Sequence, residues 1–120
     1  MKKLLIIGLA VFTMSFSMVL NHPGISKQNN ELTVRFTSQL TFNDLVNIKL
    51  DLGDQGITLK YNLIEYSEHG ELIKLSFNVD CNDGFNGMAT SLNITNNSNF
   101  GFYRDFNQDS KQPFGVGALP

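Results

Sequence analysis

The residues in this chain whose types and spacing could do chemistry are few. Asp105, Asn107 and Asp109 alternate as D-x-N-x-D, the first half of a calcium loop in which oxygen ligands at every second residue wrap one ion. The second half fails, because Ser110 stands where such a loop needs Gly and Val116 where it needs a bidentate Glu. The three are therefore weak metal candidates, and a solvated loop is the favoured reading. Asp80, Asn82 and Asp83 are weaker still, since Asn82-Asp83-Gly84 is explained as a turn without a metal. Cys81 closes a predicted strand and would become a nucleophile only beside a His that lowered its pKa. His69 falls at the far end of that strand and His22 belongs to an N-terminal tether, so a structural thiol is favoured. Asn93-Ile94-Thr95 and Asn96-Asn97-Ser98 match a glycosylation sequon, but strand and turn roles suffice for them. No catalytic residue and no cofactor is expected.

The surface feature that points to binding is aromatic. Phe100, Phe102, Tyr103, Phe106 and Phe114 are too many large rings for a free tail. They either cap the open end of a sheet core or form an apolar patch for a partner, and capping is favoured because small domains need the buried area. If they form a patch, these five are the partner-binding residues.

The elements that must position these groups follow from length and pattern. The 120 residues have room for one domain. With 42% hydrophobic and 17% charged residues, the chain is apolar enough to fold. Lys2 and Lys3, the apolar run Leu4 to Phe12, and small residues before a cut after Ser17 have the layout of a secretory signal peptide over residues 1–17. An uncleaved anchor is the alternative, since Leu4 to Leu20 carries no charge. Removal of the leader leaves seven basic against eleven acidic residues, a net of −4 with no basic cluster, which argues against nucleic acid as partner. A single Cys excludes an internal disulfide.

Residues 18–30, with His22-Pro23-Gly24 and a polar run to Asn30, read as a flexible tether. Residues 31–117 read as one α+β domain, with an aromatic-rich C-terminal segment from about residue 96. Leu32, Val34 and Phe36 alternate with polar residues as a first strand. Thr41, three residues before Asp44, predicts a capped helix start. Phe42, Leu45, Ile48 and Leu52 then share a face, and Gly53 and Gly56 supply the stop. A short strand over Ile48 to Leu52 is the competing reading, and the cap and glycines favour the helix.

Ile57 to Leu63 and Ile73 to Val79 alternate on either side of Ser67-Glu68-His69-Gly70, predicting a hairpin. After Asn86-Gly87, the apolar positions Met88, Leu92 and Ile94 extend it to a third strand. The expected architecture is strand, helix and three-stranded meander, with one helix packed on a small mostly antiparallel sheet as its single cover. Phe100 to Asp105 reads as a short edge strand, and Gln112 to Gly117 as a turn or extended end.

The block running from a helix that ends at Gly56-Ile57-Thr58, through Lys60-Tyr61, the His69-Gly70-Glu71 turn and the strand Ile73 to Val79, resembles small exported bacterial domains of uncharacterised function. Such a block occurs in the periplasmic portion of membrane zinc peptidases related to antibiotic sensors. Phe114-Gly115-Val116-Gly117 is similar to their glycine-rich close. The resemblance covers about residues 31–117 and implies an α+β domain in the cell envelope. It implies no peptidase activity, because the zinc-binding helix H-E-x-x-H is absent. The chain departs from that group in standing alone and in a more apolar, less lysine-rich helix. The reading is a non-enzymatic, periplasmic or secreted domain that binds an envelope protein or small ligand, touching membrane only if the leader is retained. The alternative is a calcium-dependent protein or enzyme built on the loop acids Asp80, Asp83, Asp105 and Asp109.

Overall fold

The structure is a computed structural model that describes residues 22–120. The predicted signal peptide, and the first part of the predicted tether, lie outside the described residues. Among the described residues seven strands and one helix follow in the order β1 (Ile25–Gln28), β2 (Glu31–Arg35), α1 (Phe42–Asp54), β3 (Thr58–Tyr66), β4 (Leu72–Asp80), β5 (Asn86–Ser91), β6 (Phe100–Asp105) and β7 (Phe114–Ala118). The class is α+β, as the sequence predicts.

Helix α1 forms where its termini are satisfied. Thr41 Oγ1 accepts from the Asp44 backbone N–H at 3.1 Å, and Asp44 Oδ2 accepts from the Thr41 N–H at 2.9 Å, a reciprocal capping box. At the other end Gly56, with φ 84°, lets its own N–H reach Gly53 O and the Ile57 N–H reach Leu52 O. Gly53 therefore lies inside the last turn, and Gly56 is the stop. Leu45, Ile48 and Leu52 are buried, whereas Phe42, expected on the same face, is 58% exposed. Phe42, in the first turn, stands instead at an open concavity between α1 and β3.

All strand pairing is antiparallel, but the strands form two sheets rather than the single sheet expected. The meander β3-β4-β5 is one, and the four strands ordered β1-β2-β6-β7 are the other. The inner faces meet through aromatic rings. Phe77 of β4 lies 5.1 Å from Phe36, 5.6 Å from Phe100 and 6.0 Å from Phe102, centroid to centroid. These tilted and edge contacts suit the charge distribution of the rings. The cover that the meander needs is thus shared between α1 and the second sheet.

Two strands arise where none is expected. Residues 25–28, read as tether, pair with β2 across a two-residue loop in which Asn29 and Asn30 both have positive φ, 53° and 64°. That is the backbone of a tight hairpin turn matched to strand twist, and asparagine tolerates it. Phe114–Ala118, read as a turn or extended end, is β7 and pairs with β6 along its whole length. Its partner makes β6 an interior strand of the sheet rather than an edge.

The phase of β5 is also opposite to the expected one. Met88 and Leu92 are 58% and 63% exposed, while Gly87 and Ala89 face inward. The inward positions must be small because β7 packs on them: a Cβ on Gly87 would stand 2.7 Å from Val116 Cγ1. In β3 a bulge between Tyr61 and Leu63 shifts the phase, so Leu59 and Tyr61 face the core, then Ile64 and Tyr66, and Leu63 turns out.

Candidate functional site

The outer face of the four-stranded sheet carries the site. Because side chains alternate along a strand, burying Leu32 and Val34 directs Glu31, Thr33 and Arg35 to the opposite face of β2. Burying Phe100 and Phe102 likewise turns Tyr103 and Asp105 outward on β6. The register sets Glu31 opposite Asp105, Thr33 opposite Tyr103 and Arg35 opposite Gly101. Gly101 is obligatory there, since a Cβ would fall 1.8 Å from Val34 O. Glu31, Thr33, Arg35, Tyr103 and Asp105, with Asn99, Ser110, Gln112, Leu119 and Pro120, line a half-open cleft of about 500 Å³.

Tyr103 lies across Gly115 of β7, where a Cβ would stand 2.4 Å from its Cε1. The missing side chain lets the ring lie against the sheet as a platform. Arg35 is oriented by its Nε–H, which donates to Ser98 O at 3.1 Å, and by a short hydrogen bond from Nη2 to Asn99 Oδ1. Asp105 Oδ1 accepts from the Asn107 backbone N–H at 3.0 Å and from its side-chain amide at 2.8 Å. The Asn107 backbone bond, then the Ser110 hydroxyl and the Asn107 side chain, hold the Asp105 carboxyl below its ordinary pKa. It is therefore a carboxylate at neutral pH.

The aromatic candidates divide. Phe100 and Phe102 are core residues, 9% and 0% exposed, and burial removes them from any partner-facing surface. Phe106 and Phe114 are half-buried in a staple between the sheets. The Arg104 guanidinium lies 4.5 Å from the Phe85 ring centroid and 4.7 Å from that of Phe106, and its Nη2 pairs with Asp83 Oδ2 at 2.8 Å. Phe85 in turn packs 5.7 Å from Phe114. Stacked and ion-paired, Arg104 ties the turn between β4 and β5 to β6. Of the five rings, Tyr103 alone joins the cleft.

The remaining sequence candidates do not converge. Among the described residues no three His, Cys, Asp or Glu side chains approach one another as a metal site would require. Asn107 donates its amide to Asn29 O at 3.1 Å as well as to Asp105, so it fastens the loop after β6 to the β1-β2 turn. Asp80 Oδ1 accepts from the Asn82 N–H and Asp83 Oδ1 from the Phe85 N–H, both closing turns. Asn82, with φ 58°, donates its side-chain amide to Gly56 O at 2.7 Å, fixing that turn to the end of α1. Cys81 is buried, and burial first, then the Asp83 charge, push its thiol up to about 11. A thiol so held is not a thiolate at neutral pH. His69 sits in the β3-β4 turn, and His22 Nε2 meets Asp51 Oδ2 on α1 at 3.0 Å.

A second concavity, of about 360 Å³, runs between α1 and β3 and is lined by Phe42, Leu45, Val46, Lys49, Leu50, Tyr61 and Ile64. Its floor is fixed by the Tyr61 hydroxyl, which donates to Leu45 O at 2.6 Å. Burial, then the neighbouring Tyr66, raises the pKa of this phenol.

Sequence reasoning missed Glu31, Thr33, Arg35 and Gln112. The outward phase of Glu31, Thr33 and Arg35 on β2 was legible, but their neighbours on β6 are some seventy residues away in sequence, and Gln112 lies in the loop between β6 and β7. Comparisons with protein-family models, with curated proteins and with solved structures find no match to this chain.

Proposed function

We propose that this chain is an exported, non-enzymatic binding domain of the bacterial cell envelope, which takes a small ligand or a segment of a partner protein on the outer face of its four-stranded sheet. The observation that carries the reading is the cleft itself. It places an aromatic platform, two carboxylates, a guanidinium and several amides and hydroxyls around one concavity large enough for a small molecule. The leader pattern of residues 1–17 supports export, and the resemblance of residues 31–117 to the periplasmic portion of sensor-type zinc peptidases supports an envelope role in recognition.

The test is a thermal-shift screen of the parent and Tyr103→Ser against short peptides, oligosaccharides and nucleotides. A cleft ligand raises the melting temperature of the parent by mass action and leaves the variant unmoved. A ligand that stabilises both equally would place recognition elsewhere. Calcium added alone is expected to shift neither. Export is checked by the mass of the extracytoplasmic product, expected to lack the first seventeen residues.

A further inference from the structure

We propose that the cleft recognises an extended, zwitterionic short peptide, with the peptide ammonium between Glu31 and Asp105, its carboxylate at Arg35 and its middle over Tyr103. The inference rests on the cleft being the binding site and names the ligand class. Glu31 and Arg35 stand four residues apart on the same face of β2, which separates them by about 13 Å at strand rise. A tetrapeptide in extended form spans about the same length.

The two ends carry opposite charge. Glu31 faces Asp105 directly across the β2-β6 pair, so two carboxylates share one end of the cleft. Neither makes a salt bridge among the described residues. An ammonium group between them donates a charge-assisted hydrogen bond to each carboxylate. At the other end Arg35 also has no carboxylate partner among the described residues, although Ser98 and Asn99 hold its guanidinium in place. Only part of its five-donor fork is engaged, which leaves donors for a carboxylate. Between the ends Thr33 lies opposite Tyr103, whose ring rests on Gly115 and offers apolar area to a side chain crossing it. A neutral saccharide would leave both charged ends without a partner.

The experiment is an NMR titration of the full chain with tetra-alanine bearing free termini, and with its N-acetylated and C-amidated forms. Saturable shifts at Tyr103 and Gly101 are expected, with the free peptide binding about fivefold more tightly than either blocked form, the size of a modest ion pair. Glu31→Gln should reduce affinity for the free peptide by a similar factor and leave the N-acetylated form unaffected. Arg35→Gln should do the same with respect to the amidated form. Equal affinity for free and blocked peptides, or shifts outside the cleft, would overturn the proposal. No shift with any peptide, alongside Tyr103-dependent shifts with cellotetraose, would overturn the ligand class and keep the cleft as a binding site. Silence from both probes would remove both readings.

Discussion

The two sheets differ in what their outer faces leave undone. On the meander, several outward polar groups pair with one another: Ser76 and Thr90 share a hydrogen bond of 2.8 Å, Asn62 bonds Asn78, and Lys74 meets Glu65 at 3.6 Å. On the four-stranded sheet, Glu31 and Arg35 make no salt bridge among the described residues, and Tyr103 lies over a glycine. The meander pairs neighbours in sequence, and the other sheet joins strands from both ends of the chain. The first therefore acts as a frame. The second needs the long-range β2-β6 pairing to be complete, and it carries the groups with interactions to spare.

The largest expected effect attacks what the sheets share. Leu45 is fully buried between α1 and the core, so Leu45→Asp places an unpaired charge there at a cost of about 4 to 5 kcal/mol. That rivals the stability of a small domain. Loss of the cooperative thermal transition in circular dichroism is expected, and a parental melting temperature would refute the shared core.

A narrower break separates the sheets. Gly101→Ala drives a Cβ into the β2 backbone, with Val34 O as the obstacle, and should cost about 3 kcal/mol in urea unfolding. Amide hydrogen exchange should rise first in β2, β6 and β7. Uniform loss of protection would mean that the two sheets open as one unit.

A pH scan probes the joint between meander and helix. Tyr61 and Cys81 both have folded pKa values above their ordinary ones, because burial disfavours the phenolate and the thiolate. The folded state then keeps protons that the unfolded chain loses. Stability is flat below about pH 8, where both groups are protonated in either state, and falls as pH rises past the ordinary values and through the folded ones. The Cys81 contribution is lost around its value of about 11, and that of Tyr61 at higher pH. Tyr61→Phe and Cys81→Ala should each flatten the alkaline limb of a denaturation curve.

The smallest effect sharpens the register of the meander. Met88 points away from the core, so Met88→Ser should change stability by no more than about 0.5 kcal/mol. Ala89→Leu on the inward face should cost more, because Ala89 packs against the core and faces β7, where a Cβ on Gly117 would stand 3.9 Å from its own. Reversal of that order in urea unfolding would restore the phase expected from the sequence.

Much of the frame was legible in the residues. The Thr41 and Asp44 spacing, the Gly56 stop, the Ser67 to Gly70 turn and the alternations in β2 and β4 all express local rules. The β1-β2 hairpin had a local signal too, Asn29-Asn30, but Ile25–Gln28 is too polar to read as a strand by periodicity. The β5 alternation misled because an apolar residue at the exposed edge of a small sheet carries no local mark of which way it faces. The cleft was only half legible, since Tyr103 stood among rings whose other members proved to be core.

By itself, then, the sequence determined the helix, its caps, the meander and the α+β class, because each depends on contacts within a few residues or on periodicity. Only the tertiary structure decided that there are two sheets, that the tail supplies an interior strand, and that Glu31, Arg35, Tyr103 and Asp105 share one face. Those outcomes depend on which distant strands pair, and pairing is settled by the fit of particular side chains. Gly87 admits Val116, Gly101 admits the β2 backbone and Gly115 admits the Tyr103 ring.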